Sequence, residues 1–138
     1  MKIARLMGLA LVLSLGPTAW ADDASNDAAV KSAEAWLALV DEGKYAASWD
    51  RASALFQHAI GRDKWADTLK AARAPLGDLV SRRLKSADAR TSLPGAPDGK
   101  YVVVQFETSF KNKRDAVETV TPMAEADGSW KVSGYYIR

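Results

Sequence analysis

Arg82 stands where a charge does not belong, since it alternates with Val80 and Leu84 in a strand-like stretch and so turns its guanidinium toward the face of a sheet meant for the core. A buried cation needs a partner. Glu118, alternating with Val120 near the other end of the chain, is the first carboxylate for it, and Glu107 is the second. Two chemistries follow from such a pairing. One is an ion pair that closes one end of the sheet and holds the fold. The other is a pocket arginine that grips an anionic ligand with two parallel hydrogen bonds. Glu118 could instead act as a general base, with Tyr135 or His58 as proton donor, in the manner of an isomerase, a dehydratase or a hydrolase. Arg82, Glu118, Tyr135 and Arg73 are therefore the candidate ligand-binding residues, and no residue is assigned a catalytic role.

The other polar residues have simpler readings. Arg73, beside Pro75, falls in the last turn of a helix, where a cation suits the helix dipole and can bond free carbonyls. His58 is the single histidine and lies between the main apolar positions of its helix, a surface or boundary location. Without cysteines or a tight acidic cluster it cannot build a zinc site. Lys111, Lys113 and Arg114 read as a solvated hairpin tip. Ser48, Ser81 and Ser133 have no nucleophile motif around them, and no glycine-rich phosphate loop or other cofactor motif is present.

The elements that must position these residues divide into a helical half and a strand half. Asp27 is placed to cap a first helix whose stripe is Ala29, Ala33, Trp36, Leu37 and Val40 and which ends at Gly43, leaving residues 22–26 frayed. Tyr45, Trp49, Ala52, Phe56, Ala59 and Ile60 predict a second helix up to Gly61. A third runs from Asp63 through Trp65, Leu69 and Ala72 and stops before Pro75. The aromatic residues fall on these stripes, so packing accounts for most of them.

Beyond Gly77 the period changes. Leu79 to Ala89 is the weakest strand, because cations interrupt its alternation. Tyr101 to Phe110 places Val102, Val104, Phe106 and Phe110 on one face and Gln105, Glu107 and Ser109 on the other. Asn112 to Asp115 turns the chain into a third strand, and Asp127-Gly128 turns it into Trp130 to Ile137. With a two-residue turn there, Met123 faces Val132 and Glu125 faces Trp130, but Val120, Tyr135 and Ile137 then fall on the opposite face. The alternation flips near Pro122 and Gly134, which predicts a bulge or bend, with Gly134 supplying a special backbone conformation. A three-residue turn with Gly128 in the left-handed region would slip the register by one. Tyr135 and Tyr136 point to opposite faces, so one of them lines the interior.

The first 21 residues read as a secretory signal peptide: Lys2 and Arg5, an apolar stretch from Leu6 to Leu15, a break at Gly16-Pro17, and Ala19-Trp20-Ala21. Cleavage is expected after Ala21. Residues 22–138 then form a single domain, periplasmic or secreted, with no membrane anchor and, lacking cysteine, no disulfide or lipid attachment. Without Lys2 and Arg5 the 19 cations fall to 17, against 17 acids. That balance removes the electrostatic case for nucleic-acid binding.

Three short helices followed by a curled antiparallel sheet resemble the cone-shaped folds related to nuclear transport factor two or cystatin. The segments AEAWLALVDEGKYAASW (33–49), ARAPLGDLVSRRL (72–84), LPGAPDGKYVVVQFETSF (93–110) and AVETVTP with DGSWKVSGYYIR (116–138) resemble a bacterial exported family catalogued as domain of unknown function 4019. The resemblance implies an α+β fold, three N-terminal helices on a curved four-stranded antiparallel sheet, with no activity and no catalytic residues to carry over. The leading expectation is a non-enzymatic module of the periplasm whose partner is a small molecule or an envelope protein. An enzyme and a protein interaction domain are the alternatives. A cavity holding Glu118 away from any arginine would favour the enzyme, and a filled interior the interaction domain.

Overall fold

The computed structural model describes residues 18–138, with side chains from residue 24 onward. Among the described residues four α-helices precede the sheet: α1 (Thr18–Asp41), α2 (Tyr45–Asp50), α3 (Ala54–Ala59) and α4 (Arg62–Arg73), the last continuing into a 3₁₀ turn, Ala74–Leu76. The strands β1 (Leu79–Arg90), β2 (Tyr101–Phe110), β3 (Lys113–Ala124) and β4 (Trp130–Ile137) form one antiparallel sheet in the order β1-β2-β3-β4. The α+β class and the helices-then-sheet order stand as expected. No described helix is long and apolar enough to cross a membrane.

Three boundaries differ from expectation. Helix α1 already includes Thr18, the first described residue, so Asp27 lies exposed inside it and caps nothing; the alanine-rich segment around it has the propensity to continue the helix upstream of Asp27. The expected signal sequence lies outside the described residues up to residue 17, and its expected cleavage point, after Ala21, falls within α1. The expected second helix is two, because Ser53 turns to extended backbone and its hydroxyl accepts from the Phe56 N–H, starting α3 afresh. The apolar spacing of Trp49, Ala52 and Phe56 runs across that break and conceals it. The β2–β3 turn is tighter than expected, since Phe110 pairs with Lys113 and leaves only Lys111 and Asn112 outside the ladder.

The core lies between the helices and one face of the sheet. Val102, Val104, Phe106, Val120 and Val132 supply it from the strands, and Ala33, Trp36, Leu37, Val40, Phe56, Trp65 and Leu69 from the helices. Trp36 and Trp65 pack at 6.2 Å with their rings tilted by 36°, and Tyr135 meets Trp36 edge-on at 5.2 Å. Tyr135 is thus the inward tyrosine, while Tyr136 is 53% exposed.

The last hairpin takes the three-residue turn. Glu125 donates to the Ser129 carbonyl, Gly128 sits at φ +85°, and Ala124 pairs with Trp130, so the two-residue register is not adopted. A register shift between Val120 and Pro122 sets Ser133 and Gly134 against Thr121. The bulge is where the alternation flips, but Gly134 has no positive φ, and an added Cβ would meet only the Thr121 side chain at 3.9 Å. The left-handed backbone that would demand glycine is therefore not found at Gly134, although the bulge lies there. Gly77, between the helices and β1, is the demanding position: φ 74°, ψ −167° is a region open essentially to glycine alone. A Cβ there would also stand 3.0 Å from Asn112 Nδ2. Gly77→Ala is accordingly expected to cost about 1 to 3 kcal/mol, and Gly134→Ala less than about 0.5 kcal/mol. Equal urea midpoints for the two variants would contradict this reading.

Candidate functional site

Arg82 and Glu118 meet on the inner face of the sheet. Their strands are separated only by β2, where Arg82 pairs with Thr108 and Phe106 with Glu118. Arg82 Nε donates to Glu118 Oε1 at 2.7 Å, Thr108 Oγ1 donates to the same oxygen at 2.6 Å, and the Tyr135 hydroxyl donates to Oε2. Both oxygens of a fully buried carboxylate are therefore engaged. Glu107, the alternative partner, instead pairs with Arg83 on the exposed face.

The other end of the Arg82 guanidinium finds Asp41, the last residue of α1. Nη1 donates to Oδ2 at 2.7 Å and Nη2 to Oδ1 at 3.0 Å, the two-pronged geometry that suits a planar guanidinium. Arg73 Nη2 donates to Asp41 Oδ1 at 2.9 Å. Arg73 lies at the end of α4 as expected, but its side chain is buried. It stacks over the Phe110 ring at 4.8 Å, and its Nε and Nη1 have no hydrogen-bond partner. Two arginines and two carboxylates thus form one buried, charge-balanced network that ties α1, α4, β1 and β3 together.

The titration of these groups follows from the geometry. Burial pushes the Asp41 carboxyl up, but hydrogen bonds from Arg82 and Arg73, reinforced by their charges, outweigh it and hold the group below its ordinary range. Burial opposes the charge on Arg82 too, yet the bonds to Asp41 and Glu118 raise its proton affinity overall. Burial, and then the negative charge and hydrogen bond of Glu118, push the Tyr135 phenol far above the usual tyrosine range.

His58 is exposed on α3 and is not among the partners of Glu118 or Tyr135. Ser48 is a packing element: its carbonyl accepts from Trp36 Nε1 at 2.8 Å and its hydroxyl from Trp65 Nε1 at 3.0 Å.

Beside the network, α4 and its 3₁₀ turn stand off from the end of β4 and leave a cleft of about 440 Å³, within the range of small-molecule sites. Trp65, Leu69, Leu76, Tyr135 and Ile137 line it. The Tyr135 hydroxyl is committed to Glu118, so the tyrosine offers the cleft its ring. Of the four candidate binding residues, Tyr135 lines this cleft, whereas Glu118, Arg82 and Arg73 do not. Arg82 lines a separate depression, with Ser81, Arg83 and Arg114.

Sequence reasoning missed Asp41 and Thr108. A signal for Asp41 existed: a carboxylate at a helix C-terminus opposes the helix dipole and is stable there only with a cation nearby.

A fold of helices over an open antiparallel sheet, with its inward charges neutralised internally, defines the class. The chain belongs to the family described as protein of unknown function DUF4019, whose model matches residues 32–135. No curated protein matches it.

Proposed function

We propose that this is an exported bacterial protein that binds a small apolar ligand in the cleft between α4 and β4 without transforming it. The single observation that carries the reading is that cleft, walled by Trp65, Leu69, Leu76 and Ile137 and open to solvent. The state of Glu118 argues against catalysis. Its oxygens are filled by Arg82, Thr108 and Tyr135, and Tyr135 holds its proton tightly, so this pair is poorly placed to exchange a proton with a substrate. The sheet with helices on one face is consistent with the cone shape of nuclear transport factor two, here with its interior filled by side chains such as Trp36, Leu37 and Phe106.

That filled interior also favours a second reading, an interaction domain, for which the exposed Val80 and Leu84 on the edge strand β1 offer apolar contacts. The two readings separate by titration with the neutral, environment-sensitive dye N-phenyl-1-naphthylamine. Saturable fluorescence enhancement is expected, and it should be abolished by Ala72→Phe, which fills the cleft from an exposed position on α4. Dye binding that ignores Ala72→Phe, or no binding at all, would turn the assignment toward the interaction domain. Export is tested by the mass of the secreted form, which should begin at Asp22.

A further inference from the structure

We infer that the cleft between α4 and β4 accepts a short extended peptide segment, which lies beside β4 as a fifth strand and sets its apolar side chains against Trp65, Leu69 and Ile137. The inference rests on the binding role proposed for the cleft and adds the chemical class of the ligand and the hydrogen bonds that hold it. Tyr135, Tyr136, Ile137 and Arg138 all line the cleft. Tyr135 and Ile137 stand opposite Val120 and Glu118 on the inner face of the sheet, and Tyr136 stands opposite Thr119 on the outer one. Consecutive residues from both faces border one cleft only where it runs along the edge of their strand, and β4 is an edge strand.

The pairing of β4 with β3 shows which backbone groups that edge presents. Arg138 and Val117 exchange both backbone bonds, at 3.0 and 2.8 Å. In an antiparallel ladder the N–H and C=O of Tyr136 then also turn toward β3, and those of Tyr135 and Ile137 turn away from it. Nearer the start of β4 the outward carbonyls are taken, since Ser32 Oγ donates to that of Trp130 at 2.7 Å and the Ser53 N–H to that of Val132 at 2.9 Å. Among the described residues no backbone group of another element reaches Tyr135 or Ile137. Each of the two therefore offers a donor and an acceptor at ladder spacing, the pattern that an added strand completes. The polar ends of the large aromatic walls are used elsewhere, Trp65 Nε1 on Ser48 and the Tyr135 hydroxyl on Glu118, so a ligand finds its hydrogen bonds chiefly on the main chain of β4. The stretch from Tyr135 to Arg138 spans about 13 Å, room for roughly four extended residues. Both charged residues that line the cleft, Lys113 and Arg138, are cations, which disfavours a segment rich in lysine or arginine.

The test titrates the purified protein with acetyl-Val-Thr-Val-Thr-Val-amide and follows backbone amide hydrogen exchange by NMR. The peptide is expected to displace N-phenyl-1-naphthylamine and to slow exchange at Tyr135 and Ile137 at least about tenfold, leaving Tyr136, already bonded to β3, unchanged. Its fully N-methylated counterpart keeps the apolar side chains but cannot donate, and should bind at least about tenfold more weakly. Ala72→Phe should abolish peptide binding, and binding that survives it would refute the location. Dye binding without peptide binding would overturn the strand inference while the cleft reading stands. Equal binding of the two peptides, with Tyr135 and Ile137 exchanging as before, would also overturn it, since the contact would then be apolar alone. Binding of neither dye nor peptide would overturn both readings. Protection of Tyr135 and Ile137 that needs no peptide and rises with protein concentration would make a second copy of the chain the occupant and refute a peptide ligand.

Discussion

Arg82→Met is expected to lower the unfolding free energy by about 3 to 5 kcal/mol, because the side chain is the only link between two carboxylates that are largely withdrawn from water. Without it Glu118 keeps Thr108 and Tyr135, and Asp41 keeps Arg73, but a net negative charge is left in the interior. Glu118→Gln alone should also destabilise. The double variant should cost less than the sum by about 1 to 3 kcal/mol, since residues sharing a network do not add. Urea unfolding of the four proteins measures this directly, and simple additivity would refute the pairing. The acid limb gives an independent reading. Asp41 is depressed in the folded protein, so its stabilisation is complete above its ordinary value of 3.8 and is lost as pH falls through the folded value. In Arg82→Met that loss should be smaller.

Trp36→Ala is expected to cost a further-ranging 3 to 5 kcal/mol or so, the usual penalty for emptying a large aromatic site. Trp36 is 3% exposed, packs against both Trp65 and Tyr135, and donates to the Ser48 carbonyl. Trp36→Phe keeps most of the volume and forfeits that bond, so about 1 to 2 kcal/mol is expected. Thermal unfolding that ranks the two variants equally would mean the cavity is not the main cost.

What could be read in the amino-acid order follows from how local each signal is. The inner face of β2 was legible because period-two alternation from Val102 to Phe110 has one structural solution. Glu118 was legible because it interrupts a buried apolar pattern, Ala116 and Val120; Arg82 was found beside Val80 and Leu84, which the edge strand leaves exposed rather than in the core. The place of Asp41 at a helix end signalled the need for a cation, but not which one, since that depends on the end of α1 crossing over β1, which no local pattern specifies. The split between α2 and α3 was hidden by apolar spacing that persists through Ser53. The turn at Gly128 had two acceptable lengths, and only packing of the completed sheet chose between them. The cleft was invisible for a related reason: its walls come from α4 and β4, which lie far apart in the chain with three strands between them.

Ser32 on α1 donates to the Trp130 carbonyl on β4, 98 residues later, and the stripe of α1 packs against Val120 and Val132. A chain emerging from its N-terminus can bring Trp36 to Ser48 and Trp65 early, but the side of α1 that meets Val132 and the Trp130 carbonyl waits for the final strand. The first helix made is among the last to find its place, and the closing of long loops sets the pace of assembly. The helical half and the last strand are thus joined by contacts that span almost the whole described chain, and truncation of β4 would strip the partner of Ser32 and part of the core from α1 at once.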